Sequence, residues 1–193
     1  MEDKLTHEDS LKIITGMIST AKGNVSQDAF HMILWGWVVM IVSFSHFMLM
    51  KFQVIDHPEM VWLLMFPTLL VSLYVGFKKG SQAKVTSHLD TMYMWVWLSF
   101  VITMALMIFF LYQKWDIISP MVLMLAGYAT FLSGKIIKFK PMIYGAISFW
   151  LWALVAYFAG PYYGLLITSA GICTGYLIPG IMLQRKKNEF KTT

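Results

Sequence analysis

Long uninterrupted runs of apolar residues dominate the chain, and short polar segments separate them. A helix needs about 20 apolar residues to cross a hydrocarbon core of about 30 Å. Six runs meet this requirement within the usual tolerance: 29–50, 60–77, 91–112, 120–137, 141–159 and 162–183. Polar and apolar residues do not alternate within them, so the pattern predicts helices rather than barrel strands. The predicted fold class is therefore all-α, a polytopic bundle of six transmembrane helices.

Residues 1–28 have a different pattern, with apolar side chains at helical spacing among polar ones. Thr6 to Asp9 has the character of a capping box with acids in the first turn. Gly23-Asn24 supplies a stop signal. We expect a short amphipathic helix that lies on the cytoplasmic leaflet or against the inner ends of the spans. Docking of a soluble partner is the alternative use for it.

Turn and breaker residues mark several boundaries of the apolar runs. The segment 56–59 reads Asp-His-Pro-Glu, which favours a capped helix start, and Ser119-Pro120 is typical of an N-cap followed by a first-turn proline. Gly160-Pro161 is expected to separate the fifth run from the sixth. Pro67 and Pro179 fall inside runs, where proline is expected to kink a helix.

Composition and charge agree with a membrane location. Apolar residues make up 58% and charged residues 13% of the chain, against about a quarter charged in a soluble domain. All but two of the 15 basic residues fall on one predicted side of the membrane. The exceptions are Lys51 and Lys114. By the positive-inside rule both termini are cytoplasmic, including the basic tail 184–193. The net charge of +5 then fits anionic lipid headgroups, and we expect no nucleic-acid partner.

The odd-numbered runs share a Trp-x-Trp motif. Tryptophan pairs stand at 35 and 37, at 95 and 97, and at 150 and 152, while the even-numbered runs end in a glycine near a basic cluster. This spacing raises the hypothesis of three helical hairpins in tandem. Sequence identity between the three hairpins is slight, so the alternative that the chain has no true internal repeat is also kept.

Small residues on two runs predict close helix packing. Ala126, Thr130 and Gly134 are spaced four apart on the fourth run, and Gly171 and Gly175 form a small-xxx-small pair on the sixth. Small residues let backbones approach in lipid, where the hydrophobic drive for association is weak. We expect a direct helix–helix contact there, within one chain or between subunits.

Two tryptophans near the middle of the fifth run are the candidate ligand-binding residues. An interfacial aromatic belt does not account for Trp150 and Trp152 at that depth. Together with the proline positions Pro67 and Pro179, they are candidates for lining a midplane cavity for a small apolar or neutral solute. Ordinary packing against Met and Phe is the alternative.

The sequence offers no convincing catalytic, cofactor or metal site. No Asp, Glu or Arg lies in the interior of any run, which removes the usual carriers of proton-coupled transport. The combination of His46, Asp56, His57 and Glu59 matches no recognised zinc spacing. A helix cap and an interfacial histidine explain these residues, so we expect no metal, no cofactor and no enzyme activity.

Three short motifs resemble a group of small bacterial six-span inner-membrane proteins that has no established activity. The motifs are Leu34 to Trp37, the run from Ser133 to Pro141, and Tyr176 to Gly180. The resemblance implies a bacterial cytoplasmic membrane and six spans, and it names no functional residue.

Two hypotheses of function follow from these patterns. The first is a non-enzymatic membrane protein that acts through a protein partner or by self-assembly. The alternative is a binder or facilitator of a small neutral solute at Trp150 and Trp152.

Overall fold

The computed structural model describes the backbone of residues 7–82 and 88–192, with side chains for 29–78 and 90–186. Within these ranges the fold is helical and contains no strand. The helices are α1 (His7–Phe52), a 3-10 helix (Pro58–Leu64), α2 (Met65–Gln82), α3 (His88–Leu111), α4 (Trp115–Ile136), α5 (Lys140–Ile172), a π-helix (Cys173–Leu177) and α6 (Ile178–Thr192). The all-α prediction is confirmed.

Five of the described helical segments are long and apolar enough to cross a membrane. They are Ala29–Phe52, Pro58–Lys78, Asp90–Leu111, Trp115–Ile136 and Lys140–Lys186. The first four overlap the first four predicted spans. The fifth covers 47 residues, where the sequence predicts two spans. A straight helix of that length would measure about 70 Å at 1.5 Å per residue, more than twice the thickness of a hydrocarbon core.

The long fifth segment is divided at Gly160, as the Gly160-Pro161 sequence predicts. Gly160 has φ 78° and ψ 175°, a backbone conformation that is essentially restricted to glycine. We call residues 140–159 the first arm and residues 161–177 the second arm. The arms pack on each other, because Gly145 lies against Gly175, and Gly171 lies against Trp152. The two arms therefore form an antiparallel hairpin with its turn at Gly160.

The core of the fold is built from α1, α4 and this hairpin. In α1, Gly36 packs against Leu177, and the Ser43 hydroxyl donates a hydrogen bond to the Leu165 carbonyl over 2.6 Å. These contacts show that α1 runs antiparallel to the second arm. In α4, Gly127 lies against Trp150 of the first arm. Side chains from all these elements are buried at the centre, including Met32, Leu123, Met142 and Phe149.

The helix directions gather most of the described basic side chains at one end of the bundle. Gly134 lies against Ile143, and Gly180 lies against Met32 and Ile33. Lys186 places its Nζ 5.8 Å from the centre of the Phe139 ring. We call this the basic end; its exposed cations are Lys135, Lys138, Lys140, Arg185 and Lys186. Lys51 and Lys114 lie at the other end, where Phe47 contacts Tyr162 and Gly164 contacts Ser119.

The helices α2 and α3 lie at the periphery. α2 contacts α1, and α3 contacts α4. Thr68 is the one buried residue among the described side chains of α2, and the described side chains of α3 include none. By contrast, nine residues of α4 are buried. These two helices thus leave most of their apolar surface uncovered by the described part of the chain.

Several predicted boundaries are wrong. α1 continues through Gly23-Asn24 without a stop, because glycine and asparagine in a helix interior cost only about 1 kcal/mol or less each. Whether residues 7–28 bind a lipid surface depends on side chains outside the described set. α4 begins at Trp115, so that Pro120 and Ser119 lie buried inside the helix rather than at its start. His57, not Asp56, occupies the N-cap before Pro58.

The two prolines predicted to kink their spans each follow a change of helix type. Pro67 is the third residue of α2, directly after the 3-10 helix, and Pro179 is the second residue of α6, directly after the π-helix. Such short 3-10 and π segments replace the regular hydrogen-bond ladder near a residue that lacks an N–H. The chain adapts to both prolines by altering the turns that precede them.

Candidate functional site

A groove lies between the start of α5 and the start of α6. Its volume is about 330 Å³, and its walls are Pro141, Tyr144, Gly145, Thr174, Ile178, Pro179 and Met182. This volume is at the small end of the range for ligand sites, about 300–1,000 Å³. The walls are mainly apolar and contain no charged side chain. The groove can therefore hold a slender apolar group.

The floor of the groove depends on a close approach of two backbones. Pro179 has no N–H to donate to the Gly175 carbonyl four residues earlier. A Cβ added at Gly145 would lie 2.6 Å from that carbonyl oxygen and 2.9 Å from Cγ of Pro179. Glycine at 145 is therefore required by the contact itself. The π-helix, Pro179 and Gly145 together set the shape of the groove.

Hydroxyl groups behind the groove join the two arms. The Trp152 indole N–H donates to the Thr174 hydroxyl over 3.0 Å, and the hydroxyls of Ser148 and Thr174 are 3.2 Å apart. Thr174 Oγ1 also lies 3.1 Å from the Gly171 carbonyl, to which it donates. Each polar atom of this network has a partner, as a water-poor interior requires. The network stabilises the hairpin and leaves the groove wall mainly apolar.

A second cluster contains buried polar atoms without hydrogen-bond partners. Among the described side chains these are Trp97 Nε1, Thr130 Oγ1 and Ser133 Oγ. Trp97 stacks on Tyr176 with ring centres 6.1 Å apart, and the Tyr176 side chain lies beside Thr130. In membrane helices such hydroxyls usually donate to the preceding turn, as Thr68 and Thr168 do here. The cluster is a polar spot in an otherwise apolar core.

The structure does not bring the four predicted ligand-binding residues together. Trp150 is half-buried against α4, where its indole N–H donates to the Met124 carbonyl over 3.3 Å. Trp152 contacts the opposite arm, and Pro67 is exposed on the peripheral α2. Of the four, only Pro179 lines the groove. The two tryptophans point to different helices because neighbours i and i+2 stand about 200° apart on a helix.

The five predicted packing residues are all buried. They are Ala126, Thr130, Gly134, Gly171 and Gly175. Gly134 of α4 lies against Met142 and Ile143 of the first arm, while Gly171 of the second arm lies against Leu123 of α4. Gly175 lies against the Phe149 ring. The small-residue faces do make close helix contacts, and those contacts are within one chain.

The histidines near the end opposite the basic end have local partners. The Trp62 indole N–H donates to His46 Nδ1 over 2.9 Å, with the two rings edge to face. The His57 imidazole contacts the Glu59 carboxylate over 2.9 Å. No group of three or more His, Cys, Asp or Glu that could hold a metal ion occurs in the described part of the chain.

Sequence reasoning missed most of the groove. Tyr144, Gly145, Thr174 and Met182 carry no signal in an apolar run, because many residues there look alike. The nearest clue is Ile178-Pro179-Gly180, in which a proline inside an apolar run marks a local change of backbone. No sequence pattern predicts the π-helix Cys173–Leu177 that precedes this proline.

Comparison with known proteins adds no relative to this picture. No family model, no curated protein and no solved structure matches the chain.

Proposed function

We propose that the protein is a non-enzymatic, multi-pass membrane protein that works by contact with another protein chain in the bilayer. The observation that carries this proposal is the near absence of buried residues in α2 and α3. A second copy of the chain is the first candidate for the contact. The absence of acids and arginine from the interiors of the apolar runs supports a non-enzymatic role.

The proposed topology has six crossings, with both termini on the cytoplasmic side of a bacterial inner membrane. The hairpin at Gly160 supports two crossings in the fifth segment, because each arm has the length of one span. The helix directions support the same arrangement, since α1 is antiparallel to the second arm. The basic end is then cytoplasmic by the positive-inside rule, in contact with anionic headgroups.

Cysteine crosslinking in membranes tests the proposed contact. Leu70 on α2 and Ile102 on α3 are 67% and 53% exposed, and Leu151 on the first arm is 60% exposed. In a Cys173→Ala background, we expect single cysteines at 70 or 102 to form covalent adducts with a bifunctional thiol reagent. We expect the cysteine at 151 to form none, although it lies at similar depth and exposure. All three side chains are exposed, so a difference in crosslinking between these positions cannot arise from a difference in exposure to lipid.

Two results would contradict the proposal. One is the absence of adducts at both 70 and 102 in the membrane of the native host. The other is equal crosslinking at 151, which would indicate random collision. A product of twice the chain mass would identify a second copy, and any other mass would identify a different partner protein.

The small-solute alternative requires a midplane cavity lined by the four predicted residues, and these residues do not line a common cavity. Trp150 and Trp152 belong to separate contacts, so they do not border a common cavity with Pro67 and Pro179. Solute flux in liposomes that Trp150→Ala abolishes would restore that alternative.

A further inference from the structure

The walls of the groove lead toward the basic end. Lys140 stands four residues before Tyr144, and Arg185 and Lys186 stand three and four residues after Met182. Residues three or four apart lie on one face of a helix. Each wall of the groove therefore continues, one turn further on, into an exposed cation.

The two walls converge at that end. Lys186 lies 5.8 Å from the ring of Phe139, which directly precedes Lys140. The end of one wall thus meets the start of the other. Cations from both helices form a single rim around the mouth of the groove.

The sequence around this rim is rich in basic residues, and its nearest acid, Glu189, stands four residues after Arg185. Between Asp116 and Glu189 the chain contains no Asp or Glu. Lys138 adds a further exposed cation beside Lys140. A cluster of cations that outnumber the neighbouring acids attracts phosphate groups, and each Lys or Arg near an anionic membrane surface adds measurably to the attraction.

An apolar groove with a cationic mouth fits an amphipathic anion. We propose that this groove binds one acyl chain of an anionic phospholipid, whose phosphate contacts Lys140, Arg185 and Lys186. The acyl chain lies between Tyr144 on one side and Ile178 and Met182 on the other, over the Gly145–Pro179 contact. A zwitterionic phospholipid carries the same acyl chain without the net charge, so it binds more weakly.

This inference is independent of the proposed protein contact, although it places the basic end at the level of the headgroups. The test uses the full chain in detergent, where neither assembly nor membrane orientation affects the result. A failure of the crosslinking experiment and a failure of the lipid experiment are therefore distinguishable.

Native mass spectrometry with added phospholipid measures the binding directly. The probes are phosphatidylglycerol and phosphatidylcholine with identical acyl chains. We expect the wild-type protein to bind one phosphatidylglycerol at least about tenfold more tightly than phosphatidylcholine. For the Lys140→Gln/Arg185→Gln/Lys186→Gln variant we expect an affinity loss of about 100-fold, from the contribution of each basic residue at an anionic surface.

Three further variants separate this site from general electrostatic attraction. Lys51→Gln/Lys114→Gln removes charge at the opposite end, and we expect its affinity to stay within about twofold of wild type, because opposite ends of the bundle are beyond one Debye length. Ile178→Trp fills the groove at a 49% exposed position and leaves every cation in place. We expect this variant to lose most of the bound phosphatidylglycerol. Lys140→Arg/Lys186→Arg keeps the charge, and we expect it to retain the lipid.

Three results would overturn the inference. The first is equal binding of the two lipids by the wild-type protein, which excludes a role for charge and can be measured without any variant. An equal loss in the Lys51/Lys114 variant indicates diffuse attraction. Unchanged binding by Ile178→Trp indicates a headgroup contact without the groove.

Discussion

Replacing Gly145 with alanine is expected to destabilise the protein by about 2–3 kcal/mol, the usual cost of overpacking a tight interior. The added Cβ would lie 2.6 Å from the Gly175 carbonyl oxygen and 2.9 Å from the Pro179 ring. Both neighbours are rigid, because one is main chain and the other is a ring fused to it. The arms of the hairpin must therefore separate to admit a single methyl group. Unfolding monitored by circular dichroism in a mild detergent measures this loss.

Gly76→Ala is the matched control for Gly145→Ala. A Cβ at Gly76 meets no atom within 4 Å. Alanine is favoured over glycine in a helix by about 1 kcal/mol, so we expect this variant to be neutral or slightly more stable. Equal stability of the two variants would show that the arms do not approach as closely as the structure places them.

Replacing Gly160 with alanine is expected to destabilise the hairpin by about 2 kcal/mol for a different reason. A Cβ at Gly160 also has open space around it, but φ is 78° there. Residues with a side chain pay about 1–3 kcal/mol for such backbone conformations. Gly76 and Gly160 thus offer the same space and differ in backbone conformation. The same unfolding measurement separates strain at Gly160 from crowding at Gly145.

A Gly160→Ala variant as stable as Gly76→Ala would contradict the turn at this position. In that case the fifth segment would continue through residue 160 in a helical conformation. The contacts of Thr174 with Ser148 and Trp152 would then be broken, because they require the arms to fold back. Loss of those contacts is visible as a change in tryptophan fluorescence.

The positions of the helices follow from the sequence because lipid imposes a simple rule on it. Apolar runs of sufficient length become helices. Gly160-Pro161 divides the long segment Lys140–Lys186 at the position that the sequence predicts. The helix end predicted at Gly23-Asn24 is wrong, because the free-energy cost of these two residues in a helix is small. The helical segments on both sides outweigh that cost, and α1 continues. Pro120 misled for a different reason: it lies inside α4, where it cannot donate to the Asp116 carbonyl, and membrane helices tolerate such interior prolines.

The contacts between helices could not be derived in the same way. In a soluble protein the buried face is the apolar one, but here every face of a span is apolar. Small residues such as Gly134 and Gly171 mark faces of close approach without naming the partner helix. Trp150 and Trp152 pack against different helices, and nothing in the sequence assigned Trp152 to Thr174. The groove depends on the π-helix and on the approach of the start of α5 to the start of α6, so it could be found only in the structure.

The most direct test of the account is the side of the membrane on which the Gly160 turn lies. Single cysteines in a Cys173→Ala background replace Pro161 at the turn, Gln113 between α3 and α4, and Gln184 at the basic end. All three residues are exposed. In spheroplasts treated with a membrane-impermeant thiol reagent, we expect labelling at 113 and 161, and labelling at 184 only after permeabilisation. Labelling of 161 and 184 from the same side would contradict the proposed pair of crossings and, with it, the proposed six-span topology.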